Sequence, residues 1–139
     1  MMMKLADLGS FTIEHQDNIL TVDARGPFTQ EIMEQFQQDM VIVSAKMKGQ
    51  PWGSLVTYYG NAVFSPEAEE ALIEITKYRV QHDMIANVTV ILESTHADLQ
   101  QMQLKRIYQT CNVVFHVFSD IEAAKAWLKT FLEQQRAAM

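Results

Sequence analysis

The chain has 139 residues, 48% of them hydrophobic, and a formal net charge of -6. That length suits one domain, spanning 1–139, which buries roughly two-thirds of the surface its unfolded form exposes and needs no disulfide staple. The acidic balance argues against a nucleic-acid partner, because affinity for a phosphate backbone rests on Lys and Arg displacing counterions. Cys111 is the single cysteine, so no internal disulfide can form. No apolar run approaches the roughly 18 residues of a membrane span, and residues 1–8 lack the apolar stretch of a signal peptide, so a cytoplasmic location is expected.

Residues 11–15 and 19–24 read as two short strands separated by Gln16, Asp17 and Asn18, a polar group suited to an antiparallel hairpin. Gly26 and Pro27 stop the second strand. Thr29 then caps a helix with Glu31 in its first turn and a core stripe of Ile32, Phe36, Met40, Val43 and Met47. That helix ends at Gly49, and residues 50–53 turn into a third strand over 54–59. The second helix has the clearest start: Ser65 suits the N-cap, Pro66 the first helical position, and Glu67, Glu69 and Glu70 the opening turn, with Ala68, Leu72 and Ile75 inward.

Residues 87–92 form an almost wholly apolar fourth strand, as a strand covered on both faces requires. Thr95 and Asp98 introduce a third helix over 97–109, whose apolar stripe is the least regular of the four. The last strand, 113–118, alternates Val113, Phe115 and Val117 with Val114, His116 and Phe118. Ser119 and Glu122 stand in capping-box relation before a final helix carrying Ile121, Ala124, Leu128 and Phe131. The order is therefore ββαβαβαβα. Strands joined through helices run parallel, so a mixed, mostly parallel five-stranded α/β sheet with four helices is expected.

That order, together with the ending Phe118-Ser-Asp-Ile-Glu-Ala-Ala-Lys-Ala-Trp127-Leu128, resembles the SpoIIAA-like proteins of the STAS and SEC14-related group. Val22-Asp-Ala-Arg-Gly-Pro-Phe28 and Ser65-Pro-Glu-Ala-Glu69 are similar to segments of its small bacterial members, and the likeness covers nearly the whole chain. The resemblance implies a scaffold for protein contact or small-ligand capture, since STAS domains are mainly non-enzymatic regulators and SEC14-related domains hold lipid-like molecules. Antagonists of anti-sigma factors in this group present a phosphorylatable serine after the third strand, in an Asp-Ser-Ser-Gly-Leu type of motif. This chain has Tyr58-Tyr-Gly-Asn-Ala-Val-Phe-Ser-Pro66 instead, with Ser65 the only hydroxyl at the helix start. A phosphate there would gain from the helix dipole but be repelled by Glu67, Glu69 and Glu70, and a plain N-cap accounts for the serine.

Motifs for catalysis or cofactor binding are missing from the sequence. The four histidines, His15, His82, His96 and His116, show no metal-ligand spacing, and Cys111 has no neighbouring motif. GxGxxG, GxxxxGK[ST] and GxSxG are all absent, so no catalytic residue, metal or cofactor is assigned. Asp23 and Glu31 flank Arg25 as ordinary surface charge. Arg79 stands out because it shares a helical face with Leu72, Ile75 and His82, which places a permanent cation beside the core. Tyr58 or Tyr59 could line the same mouth, and His116 puts one titratable ring on an apolar strand face. Tyr58, Tyr59, Ser65, Arg79 and His116 are therefore the candidate contacts. The expected function is a non-enzymatic STAS-like module acting on a protein partner or as a homodimer. The alternative is a binder of a small amphipathic, lipid-like ligand.

Overall fold

The computed structural model describes residues 10–138; the reading of residues 1–8 falls outside them. The elements are β1 (Ser10–Gln16), β2 (Ile19–Arg25), α1 (Gln30–Met47), β3 (Trp52–Tyr59), α2 (Pro66–Gln81), β4 (Met84–Leu92), α3 (Ala97–Thr110), β5 (Val114–Phe118) and α4 (Ile121–Ala137). The sheet order is β1-β2-β3-β4-β5, with β1 antiparallel to β2 and every other pair parallel. The expected α/β architecture is the observed one.

Because each parallel strand is added on the same side of the last, crossovers of one hand place all three connecting helices on one face. The core follows that geometry. Leu20, Val22, Trp52, Val56 and Tyr58 turn toward α1, α2 and α3, where they meet Met33, Phe36, Leu72, Ile75, Leu104 and Ile107. The alternate strand positions, Leu55, Ala86, Val88 and Val90, meet Ala124, Leu128 and Leu132 of α4, which among the described residues is the helix on the second face. The β1–β2 half of that second face carries exposed Thr12, Glu14, Gln16, Asp23 and Arg25, as one uncovered side of a sheet should.

The buried side chains of Ser54, Asn87 and Thr89 form a chain of hydrogen bonds between strands, whereas Thr57 Oγ1 on β3 has no partner among the described residues. Asn87 donates to Ser54 Oγ at 2.6 Å, and the Thr89 hydroxyl donates to Asn87 Oδ1 at 2.7 Å. Trp52 Nε1–H donates to His82 O at 2.5 Å, tying the end of α2 to the start of β3.

Several local expectations shift. β3 and β4 begin earlier than their apolar runs, at Trp52 and Met84, so Gly53 lies in a strand rather than a turn. The inward stripe of α1 is Met33, Phe36, Met40, Ser44 and Met47, with Ile32 and Val43 half-buried at its flanks. The cap of α4 is Asp120, not Ser119: Asp120 has extended backbone angles and its Oδ1 accepts from Ala123 N–H at 2.8 Å. α3 starts after His96 with no side-chain cap, because Thr95 N–H and Ser94 Oγ instead donate to Asn61 Oδ1 at 2.8 and 2.9 Å.

Candidate functional site

The inward faces of β3, α2 and α3 close around a small cavity at the centre of the three-helix side. Arg79, Tyr58 and Tyr108 supply its polar groups, and Phe11, Met33, Phe36 and Leu72 are among its apolar walls. Its free volume is about 10 Å³, room for roughly one water. Arg79 does not reach solvent; it is 1% exposed, a rare state for this residue type. A helical side chain leans toward the helix N-terminus, so Arg79 projects back along α2 into the core instead of out past its last turn. Its Nη2 donates to Thr76 Oγ1 at 2.9 Å and to the Tyr108 hydroxyl at 3.1 Å. Nε and Nη1 are buried without a hydrogen-bond partner among the described residues.

Burial pushes the Tyr58 hydroxyl well above its ordinary pKa, with Tyr108 adding to the rise and Arg79 opposing it. Tyr58 is therefore a neutral hydroxyl at any physiological pH. The cavity gathers one fixed cation and two hydroxyls, and no carboxylate lines it.

The five candidate residues divide. Tyr58 and Arg79 meet in the cavity. Tyr59, next along β3, faces the opposite side, where the Arg25 guanidinium lies 4.4 Å from its ring centroid. His116 is exposed on edge strand β5, on the α4 side, with its ring edge-on to Trp127 at 4.7 Å. Ser65 is exposed at the start of α2, where its Oγ accepts from Ala68 N–H at 3.1 Å. Cys111 and His116 do not form a pair, because Cys111 Sγ contacts Ile73 O at 3.5 Å on the three-helix side. Burial raises the Cys111 pKa, with Arg79 and Lys77 pulling the other way, the reverse of what an activated nucleophile needs.

Tyr108 is the site residue that the helical stripe of α3 concealed. That helix buries Gln100 and Gln103 beside Leu104, Ile107 and Tyr108. Gln103 pairs its amide with both backbone groups of Phe64, at 3.0 and 2.9 Å, and Gln100 donates to Gly60 O at 3.3 Å. Two inward glutamines break the apolar pattern, and that irregularity is the one sequence signal of the buried face.

No family model and no curated protein sequence matches the chain. Two solved structures do match in shape. An anti-sigma factor antagonist from Mycobacterium paratuberculosis superposes with a TM-score of 0.59 at 14% identity, over 88% of this chain and 96% of its own. An uncharacterized protein of the DUF3478 family with a SpoIIAA-like fold, from Shewanella loihica PV-4, gives 0.61 at 17% identity over 86% and 93%. The chain has a SpoIIAA-like fold. Among the described residues of this SpoIIAA-like domain, no helix is long and apolar enough to cross a membrane, and no three His, Cys, Asp or Glu side chains converge as metal ligands.

Ser65 thus has a structural job that a substitution can measure. Ser65→Ala is expected to cost about 1 kcal/mol in urea denaturation through loss of the cap bond to Ala68, and Ser65→Asp, which caps as well, to stay close to wild type.

Proposed function

We propose that this domain is a non-enzymatic, STAS-like regulatory module of the cytoplasm that works through protein contact, as a homodimer or on a partner chain, without a phosphoserine switch. The observation that carries this reading is apolar surface at the open edge of the sheet. Among the described residues β1 pairs with β2 alone. Beside it, α1 presents Ile42 at 58% exposure. Phe11, Ile13, Ile42 and Val43 line a shallow groove of about 290 Å³, with Asp39 at its rim.

An open strand edge next to exposed aliphatic side chains is a template for another chain. The likeness in fold to an anti-sigma factor antagonist supports the same reading. The capping bond at Ser65 and the adjacent Glu67, Glu69 and Glu70 work against a phosphate at that helix start.

Placing a photo-crosslinking amino acid in cells at Ile42, and separately at exposed Lys129 on α4, tests this. The expected result is one discrete adduct, with a second copy or a single partner, from position 42 and none from position 129. Equal labelling from both positions, or none from either, would remove the reading.

A further inference from the structure

We propose that Arg79 anchors a binding site for a monoanionic carboxylate with a short apolar tail, with its head in the Tyr58–Tyr108 cavity and its tail along the groove beside α1. This gives the amphipathic-ligand alternative a defined site: its head rests on the Arg79 cavity alone, while its tail would use the groove that the protein-contact reading also invokes.

The argument starts from donor arithmetic. A guanidinium carries five N–H donors, no acceptor and a permanent charge. Two donors are used by Nη2, on Thr76 Oγ1 and the Tyr108 oxygen. The Nε–H and both hydrogens of Nη1 have no partner among the described residues, although the side chain is 1% exposed. Buried charges in proteins are paired, because an isolated one carries a large desolvation cost. A water in a cavity of about 10 Å³ accepts at most about two hydrogen bonds and brings no compensating charge. Three donors and one positive charge therefore exceed what a single water can match.

A carboxylate matches them. It offers about four acceptor sites in a plane, and its two oxygens meet the Nε–H and Nη1–H edge of a guanidinium as a fork. Its single negative charge balances the single cation of the lining, whereas a phosphate dianion would exceed it. The neighbouring hydroxyls fit as well. Tyr108 oxygen already accepts from Arg79, which leaves its own hydrogen to donate. Tyr58 stays protonated in this surrounding and adds another donor.

The walls specify the remainder of the ligand. Met33, Phe36 and Leu72 are apolar, so nothing there would satisfy a polar tail. Phe11 lines both the closed cavity and the open groove of Ile13, Ile42 and Val43. Its ring stacks on Phe36 with centroids 4.1 Å apart. Phe11 is the partition between the two spaces, and swinging it off Phe36 both widens the water-sized head site to admit a carboxylate and joins it to an apolar channel.

Calorimetric titration of the full chain with octanoate tests the site, with octanol as the uncharged tail, acetate as the bare head and inorganic phosphate as a different anion. Saturable octanoate binding is expected, with octanol, acetate and phosphate each at least ~10-fold weaker. Arg79→Met should weaken octanoate at least ~30-fold and Tyr108→Phe several-fold. Equal octanoate affinity in wild type and Arg79→Met, or no carboxylate binding by wild type, overturns the proposal, as does tighter binding of octanol or phosphate. If Arg79→Met does not fold, Tyr108→Phe and the Nε–H resonance of Arg79 decide: an unmoved resonance on octanoate addition overturns the site. Crosslinking through position 42 is a separate readout, so the two readings fail independently.

Discussion

Gly53→Ala and Leu128→Ala are each expected to destabilise the protein, and to do so non-additively. A Cβ built on Gly53 lies 2.6 Å from Leu128 Cδ1, closer than packed atoms tolerate, and 3.3 Å from both Leu128 Cγ and Ala86 O, which is tight. Leu128 is fully buried in α4, the one helix among the described residues on that face of the sheet. The added methyl must push α4 outward or force Leu128 off its rotamer, costing about 1–3 kcal/mol. Leu128→Ala removes the anchor instead and leaves a cavity, costing about 2–5 kcal/mol. In the double variant the new methyl occupies space that Leu128 has vacated. The pair should then cost at least about 1 kcal/mol less than the sum of the single changes. Urea denaturation of the four proteins measures this coupling. Additivity within about 0.5 kcal/mol would mean that α4 does not sit over Gly53.

The same contact shows what the sequence reveals and what it hides. Alternation along 113–118 specified a strand, and the Ser65-Pro66 pair specified the start of α2, because both signals are local and each residue's own geometry decides them. The capping-box spacing puts the cap of α4 one residue early, at Ser119, because Asp120 is an equally good cap residue and only backbone angles choose between them. Gly53 looked like a turn glycine, but a side chain seventy-five positions later takes up the space above it. Gln100 and Gln103 lie on the irregular stripe of α3, and long-range bonds to Gly60 and Phe64 account for their burial.

The site was legible in part for the same reason. Arg79 and Tyr58 lie on inward faces that helical and strand periods reveal. Tyr59 and His116 are placed opposite by the period of two, a constraint already present in the sequence because adjacent strand residues cannot share a face. Tyr108 depended on α3 docking beside α2, which no local pattern encodes. The bidentate contact of Arg106 with Glu69, at 2.5 and 2.9 Å, spans the same two helices.

Arg79→Met should make the ligand-free protein more stable, by about 1–3 kcal/mol, a rise of several degrees in Tm for a chain of this size. The change gives up two hydrogen bonds from Nη2, worth about 1 kcal/mol each. Thr76 is not orphaned by it, since a helical threonine can turn its hydroxyl to a carbonyl in the preceding turn. In exchange, a charge with three unmatched donors leaves the core, and an unbranched thioether of similar length fills its channel. Arg79→Ala removes the charge but also empties the channel, so it should fall below Arg79→Met by the cavity cost alone. Saturating carboxylate reverses the ranking, because a ligand stabilises the native state in proportion to RT ln(1 + [L]/Kd), and only the arginine protein binds it. Thermal melts of the three proteins with and without octanoate should therefore cross. A ligand-free Arg79→Met protein less stable than wild type would show that the guanidinium is already compensated, and the stability cost assigned to it would not exist.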